Sequence, residues 1–265
     1  TGQVWVVKKG LKRYFLKYLD RITSTISTII IVDSLSQKDF LEGQNVVKKN
    51  KALVIGYGSI SGVDVKRFHP DKNARDKVRL DMNVQNSAIV FLFVGRLKKD
   101  KGVFELAESF SRVCDKIPNA ELWFVGDDEE NIKCELDPYI SIKYKNIKFI
   151  EYTTSPERYM KAADVFCLPS YREGFGTSII EAASCGIPSI GTRIYGIIDA
   201  IVDNKTGLLV NVKSIDSLTF GMLKMAKNNS FRKEMGIRAE KNALERFDSD
   251  RVTEGLLLIL KESVN

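Results

Sequence analysis

The chain has 265 residues, 44% hydrophobic and 28% charged, and its 41 Lys and Arg outweigh 34 Asp and Glu to give a net charge of +7. This is globular material, long enough for one large α/β domain or one and a half smaller ones, with a mild basic excess that suits a phosphate-bearing ligand, an anionic membrane surface or simple solubility. A single histidine, His69, excludes a His-rich zinc site and leaves little room for a Ser/His/Asp triad, and no apolar run approaches the roughly 20 residues of a membrane span.

In chain order, a basic amphipathic helix is predicted around residues 11–19, where Lys9, Lys12, Arg13 and Lys17 crowd Leu11, Phe15, Leu16 and Leu19. Such a helix suits peripheral contact with an anionic inner-membrane surface, and equally suits covering a neighbouring part of its own protein. A strand at 29–32, a helix through Phe40 and a strand at 52–55 follow, too few elements to close a core of their own. The turn-rich run from Gly56 to Gly62 then places a domain boundary between residues 56 and 70. From Ile89 short apolar runs alternate with amphipathic ones: a strand at 89–94, a helix with Val103, Leu106, Ala107, Phe110 and Val113 on one face, and a strand at 121–125. Further strand-like runs at 147–150, 165–168, 188–190 and 207–210 imply a parallel sheet covered on both faces, which binds ligands beyond the carboxyl ends of its strands. Helices are predicted at 222–227, 231–247 and 251–261. Cys114, Cys134, Cys167 and Cys185 form no CxxC pair and read as reduced packing residues of a cytoplasmic protein. Thr1 is not Met and nothing before Gly10 has a signal-peptide layout, so the chain is expected to be a piece of something longer.

Two strand-to-helix turns carry chemistry. The first runs from Gly95 through Arg96, Lys98, Lys99 and Lys101 to Gly102, where Arg96 offers a bidentate contact to a phosphate and Lys101 a point charge; a solvated basic loop is the competing reading. In the second, Pro169 to Ala182, the glycines Gly174 and Gly176 let the backbone approach a ligand closely. A helix begins near Thr177 there, with free N–H groups and a dipole suited to a diphosphate. Glu173 lies before the glycines, in reach of sugar hydroxyls, and Glu181 in the first turn suits the two hydroxyls of a ribose. The spacing of Ser178 and Glu181 is also that of a capping box, and Phe175 is also readable as core.

Here the sequence resembles the retaining glycosyltransferases of family 4, from Gly56 to about Phe247. The resemblance is tightest in the Glu-x7-Glu motif of Glu173 and Glu181 with Gly174, Phe175 and Gly176 between them, and extends to Gly95, Arg96, Lys101 and Gly102, to Gly126 with Asp127, and to Asp203 through Gly207. It implies an α/β fold of GT-B type, a Rossmann-like parallel sheet with helices on both faces and a second Rossmann-like domain largely missing. Residues 1–62 would be the remnant of the N-terminal acceptor domain and the interdomain segment, 63–247 the nucleotide-sugar-binding domain and 248–265 a C-terminal helix. By the same resemblance Arg96 and Lys101 hold the donor diphosphate, Glu181 holds the ribose, Tyr152 lies near the base, and Glu173 with the backbone of Gly174, Phe175, Gly176 and Thr177 faces the transferred sugar. Glu173, Arg96 and Lys101 are thus the expected catalytic residues.

The implied activity is hexosyl or N-acetylhexosaminyl transfer from a nucleotide-diphosphate sugar, with a UDP-sugar favoured, to a glycan or lipid-linked acceptor in surface polysaccharide or lipid-linked oligosaccharide synthesis. No cofactor, metal or nucleic-acid partner is expected: no Asp-x-Asp turn is visible, so fixed charge and helix N–H groups take the place of a metal ion at the departing diphosphate. With most of the acceptor domain absent, the isolated chain is expected to bind donor without turning it over. Two other readings stay open: a nucleotide-sugar 2-epimerase of the same superfold, for which His69 is poor support, and a non-catalytic binding module.

Overall fold

A computed structural model describes residues 2–136 and 146–264; Thr1, residues 137–145 and Asn265 lie outside the described residues. Six parallel strands form the main sheet: β3 (Val90–Val94), β4 (Glu121–Val125), β5 (Ile147–Ile150), β6 (Val165–Leu168), β7 (Ser189–Thr192) and β8 (Gly207–Val210), in spatial order β5-β4-β3-β6-β7-β8. The central strand β3 reads Val-Phe-Leu-Phe-Val because helices cover both faces of the sheet, leaving no side of the strand for polar residues. A smaller parallel pair, β1 (Ile30–Val32) with β2 (Ala52–Val54), stands apart from it, with Ile30 opposite Ala52.

Two cores follow from this. The larger one centres on β3, β4 and β6 and takes in Val103, Leu106, Phe110 and Val113 from α4 (Val103–Cys114), the face predicted from their spacing. The smaller one gathers Trp5, Val32, Leu41, Val46, Val47 and Ala52 under α1 (Gly10–Ile26) and α2 (Leu35–Gly43). The two are bridged by aromatic stacking of Trp5 on Phe40 and of Phe40 on Tyr195, and by Ser36, which hydrogen-bonds Asp199 and accepts from the Gly196 N–H at 2.8 Å.

Helix α3 (Lys72–Asp81) does not announce itself by periodicity: it buries only Val78 and the aliphatic stem and head of Arg79. It forms because Asp71 caps it, accepting from the Ala74 N–H at 3.0 Å, and because Arg79 finds the Asp164 carboxylate at 2.6 Å. After β5 come α5 (Glu157–Ala162), α6 (Thr177–Ser184), the single turn α7 (Ile197–Ala200), α8 (Ile215–Lys227), α9 (Asn229–Arg246) and α10 (Ser249–Val264). Helix α8 starts seven residues before the predicted 222 because Ser214 caps it through the Ser217 N–H, a signal hidden by a polar first turn. Cys167 and Cys185 are buried and Cys114 half-buried, and burial pushes the Cys185 thiol up to about 12; Cys134 alone departs from the packing role, being exposed.

Candidate active site

The carboxyl ends of the strands bring the two turns together. Residues 95–102 leave β3 beside residues 169–176, which leave β6, the adjacent strand. They interlock through the backbone: Gly102 sits at φ 70°, and a Cβ there would lie 2.2 Å from the carbonyl oxygen of Pro169, so only glycine permits both the left-handed turn and the contact. The Tyr171 N–H donates to the Asp100 carbonyl at 2.8 Å, Arg172 Nε to Asp100 Oδ2 at 2.9 Å and the Tyr171 hydroxyl to Glu105, so two residues of one turn hold the other turn and the helix that follows it through three hydrogen bonds. Burial raises the Tyr171 phenol, and its bond to Glu105 raises it further, so the hydroxyl stays a donor.

On top of this clamp, Lys101 Nζ lies 2.6 Å from Glu173 Oε1, which also accepts from Ser170 Oγ at 2.8 Å. The second oxygen of Glu173 takes no hydrogen bond from any described residue and remains free to accept. Residue Gly2 packs on the Glu173 backbone, its carbonyl accepting from Arg172 Nη1 at 2.7 Å, so the smaller unit reaches the site at this point. Arg96 stands further out: its side chain is half-exposed and shares Glu129 with Lys98, at 3.3 and 2.5 Å.

Helix α6 begins at the second turn. Gly176 is its N-cap at φ 85°, a conformation glycine adopts without strain, and the first two helical N–H groups, those of Thr177 and Ser178, donate to no described residue. One alternative reading falls here and another holds. Ser178 lies inside the helix and no side chain caps it, so the capping-box reading of Glu181 falls. Phe175 contributes only its backbone to the turn, because its ring is buried against Phe247 at 5.2 Å between centroids and against Gly58.

Glu181 is largely buried one turn into α6, on the face it shares with Thr177, and makes no hydrogen bond to a described residue. Burial raises its pKa above the ordinary glutamate value; Arg67 pulls the other way and Glu157 adds to the rise. Arg67 itself is held by Glu157 at 2.7 Å and by the carbonyl of Thr154, and sequence reasoning missed it, since a lone arginine in a loop carries no pattern. Beyond β4 and β5 a cleft of about 430 Å³ is lined by Leu97, Gly126, Asp127, Lys133, Phe149 and Tyr152, with Tyr152 exposed at its rim. Asp203, by contrast, is a structural turn residue: it pairs with Arg193 at 2.6 Å and accepts from the Leu209 N–H. His69 lies near Pro70 and Lys161, before β6, at the opposite edge from both turns, which removes it from proton transfer at this site.

The family described as glycosyl transferases group 1 matches residues 75–242. The chain belongs to that family. Its match takes in both turns, from Arg96 to Glu181. The chain is 31% identical over 249 residues to the capsular polysaccharide biosynthesis glycosyltransferase CapM of Staphylococcus aureus, covering 94% of this chain and 65% of that one. It is 26% identical over 256 residues to the N,N'-diacetylbacillosaminyl-diphospho-undecaprenol alpha-1,3-N-acetylgalactosaminyltransferase of Campylobacter jejuni, over 94% of this chain and 64% of the relative. The chain thus spans just under two thirds of the length of these relatives. In fold it matches Anabaena HepE, solved in complex with UDP and glucose, with a TM-score of 0.85 at 20% identity over 95% of this chain and 69% of that one. The six-stranded parallel sheet with helices on both faces is one Rossmann-like half of the GT-B fold of such neighbours.

Proposed function

We propose that this protein transfers a hexosyl or N-acetylhexosaminyl unit from a UDP-sugar, with retention, to a glycan or lipid-linked acceptor in surface polysaccharide or lipid-linked oligosaccharide synthesis. One observation carries the reading: Lys101, Glu173 and the unpaired Thr177 and Ser178 N–H groups converge where two loops meet at the carboxyl edge of the sheet. In this scheme the α6 N–H groups and Lys101 hold the diphosphate, with Arg96 reaching it from the rim, and their fixed charge stabilises the leaving nucleotide diphosphate in place of a metal ion. The free oxygen of Glu173 accepts from a sugar hydroxyl, Glu181 accepts from the ribose, and the cleft at Tyr152 receives the base. Attack comes from the face of the departing diphosphate, one of whose oxygens assists deprotonation of the acceptor. The preference for UDP is supported by HepE, solved with UDP and glucose, and the acceptor class by the names of CapM and the Campylobacter jejuni transferase.

The reading extends to a peripheral position at the cytoplasmic face of a membrane. Among the described residues no helix is long and apolar enough to cross one. Instead α1 exposes Leu11, Tyr14, Phe15, Tyr18, Leu19, Ile22 and Ile26 as one stripe, with Lys12 at its edge and Arg13 turned over the Trp5 ring. Leu16, expected on that stripe, turns inward onto the smaller core.

Titration calorimetry of the chain against UDP, GDP and ADP tests the donor assignment. The reading predicts UDP at least tenfold tighter than the other two; equal affinity for all three removes the base preference, and no binding of any removes the site.

A further inference from the structure

A second cleft, of about 840 Å³, opens at the opposite edge of the sheet, where Ile89 leads into β3, Asp164 into β6 and Pro188 into β7. Its charged lining is five cations, Lys72, Arg75, Lys161, Arg232 and Lys233, against the carboxylates Asp71 and Asp164. Both carboxylates are already committed. Asp164 spends one oxygen on Arg75 at 2.7 Å and the other on Arg79, at 2.6 Å in the wall behind, and on the Val90 N–H at 2.8 Å. Asp71 caps α3.

The cations are not neutralised in return. Among the described residues Lys72, Lys161, Lys233 and Arg232 make no ion pair: Lys161 hydrogen-bonds only His69, at 3.4 Å, with the Asp71 carboxylate within the reach of its field, and Arg232 donates to the carbonyl of Met225 at 2.7 Å and to Asn229 Oδ1 at 2.9 Å. Hydrogen bonds to neutral oxygens orient a guanidinium without cancelling its charge. Burial lowers the Arg232 pKa, Asp164 pulls the other way, and Arg75 and Arg79 each add a smaller lowering. A concave, partly dry surface with uncompensated charge of one sign concentrates counter-ions.

We propose that this cleft is a second ligand site, distinct from the donor turns, that binds a phosphate dianion, free or as the monoester of a small molecule. The lysines and Arg232 supply the charge-assisted contacts, and the cleft leaves room beyond a phosphate for the body of an ester. The site is tested by calorimetry and thermal shift with inorganic phosphate and with a hexose 1-phosphate at constant ionic strength. The protein carries Arg96→Ala and Lys101→Ala, so that the donor turns do not contribute. Saturable binding is expected, weakened at least tenfold by adding Lys72→Glu and Lys233→Glu, both exposed, and also by the milder Lys161→Gln. Tighter binding of the hexose 1-phosphate than of phosphate identifies an ester as the ligand; equal binding identifies free phosphate. Absence of saturable binding by either probe, or binding indifferent to all three lysine changes, overturns the proposal.

Discussion

Lys101 Nζ and Glu173 Oε1, 72 residues apart in sequence, lie 2.6 Å apart where the two strand-to-helix turns meet. The pair sets the cation assigned to the diphosphate beside the carboxylate assigned to the sugar. Glu173→Gln keeps an acceptor and the shape, and is expected to leave UDP affinity within about twofold while lowering kcat of the protein with its acceptor by on the order of 100-fold. Loss of UDP binding in a folded Glu173→Gln protein would place the sugar elsewhere.

Glu181 responds to pH. Its pKa is raised by burial, so the charged form is the disfavoured one in the folded chain. The sign for stability follows: relative to the unfolded chain, its contribution is most favourable below the ordinary glutamate value of 4.5 and is lost as pH rises through the raised folded value. The proposed hold on the ribose needs the Glu181 carboxylate, so UDP affinity is expected to fall with decreasing pH through an inflection above 4.5 that vanishes in Glu181→Gln. The same variant should lose affinity for UDP and not comparably for 2′-deoxy-UDP, measured by calorimetry.

In the proposed scheme the clamp beneath the site acts through position alone. Arg172 joins Asp100 to the Gly2 carbonyl, and neither Arg172 nor Asp100 is assigned a contact with the donor. Asp100→Asn and Arg172→Met are each expected to lower kcat about tenfold with smaller effects on the UDP dissociation constant. The double variant should lose little more than either single one, since both break the same link. Additive losses in that cycle would show that the two residues act separately.

Helix α1 predicts salt-sensitive membrane binding. Vesicles containing anionic lipid should float with the full-length protein at low salt and release it at high salt, and Lys9→Glu with Lys12→Glu should abolish flotation. Flotation unaffected by salt or by the charge reversals would assign the stripe to contacts inside the protein.

Much of this architecture is legible from apolar strands buried on both faces, because β3, β4 and β6 admit almost no polar residue. The two strand-to-helix turns are legible for a different reason: Gly95, Gly102 and Gly176 mark backbone that must turn tightly or pack closely, and the acids and bases stand beside them. Two things were not legible. Helix α3 rests on the buried Arg79–Asp164 pair, an interaction 85 residues apart that leaves no period. Arg67 comes near enough to lower the Glu181 pKa only through the folding of its loop. Phe175 was readable both as motif and as core, and the packing of its ring on Phe247 decides for the core.

The central claim, that these turns hold a nucleotide diphosphate by fixed charge, is tested most directly by comparing UDP with uridine in calorimetry of the parent chain, Arg96→Ala and Lys101→Ala. Each cation is expected to contribute a charge-assisted contact of roughly 1.5–3 kcal/mol to UDP binding, a loss of about 10- to 150-fold on removal, with uridine affinity unchanged. Equal losses for UDP and uridine, or none for either, would contradict the account.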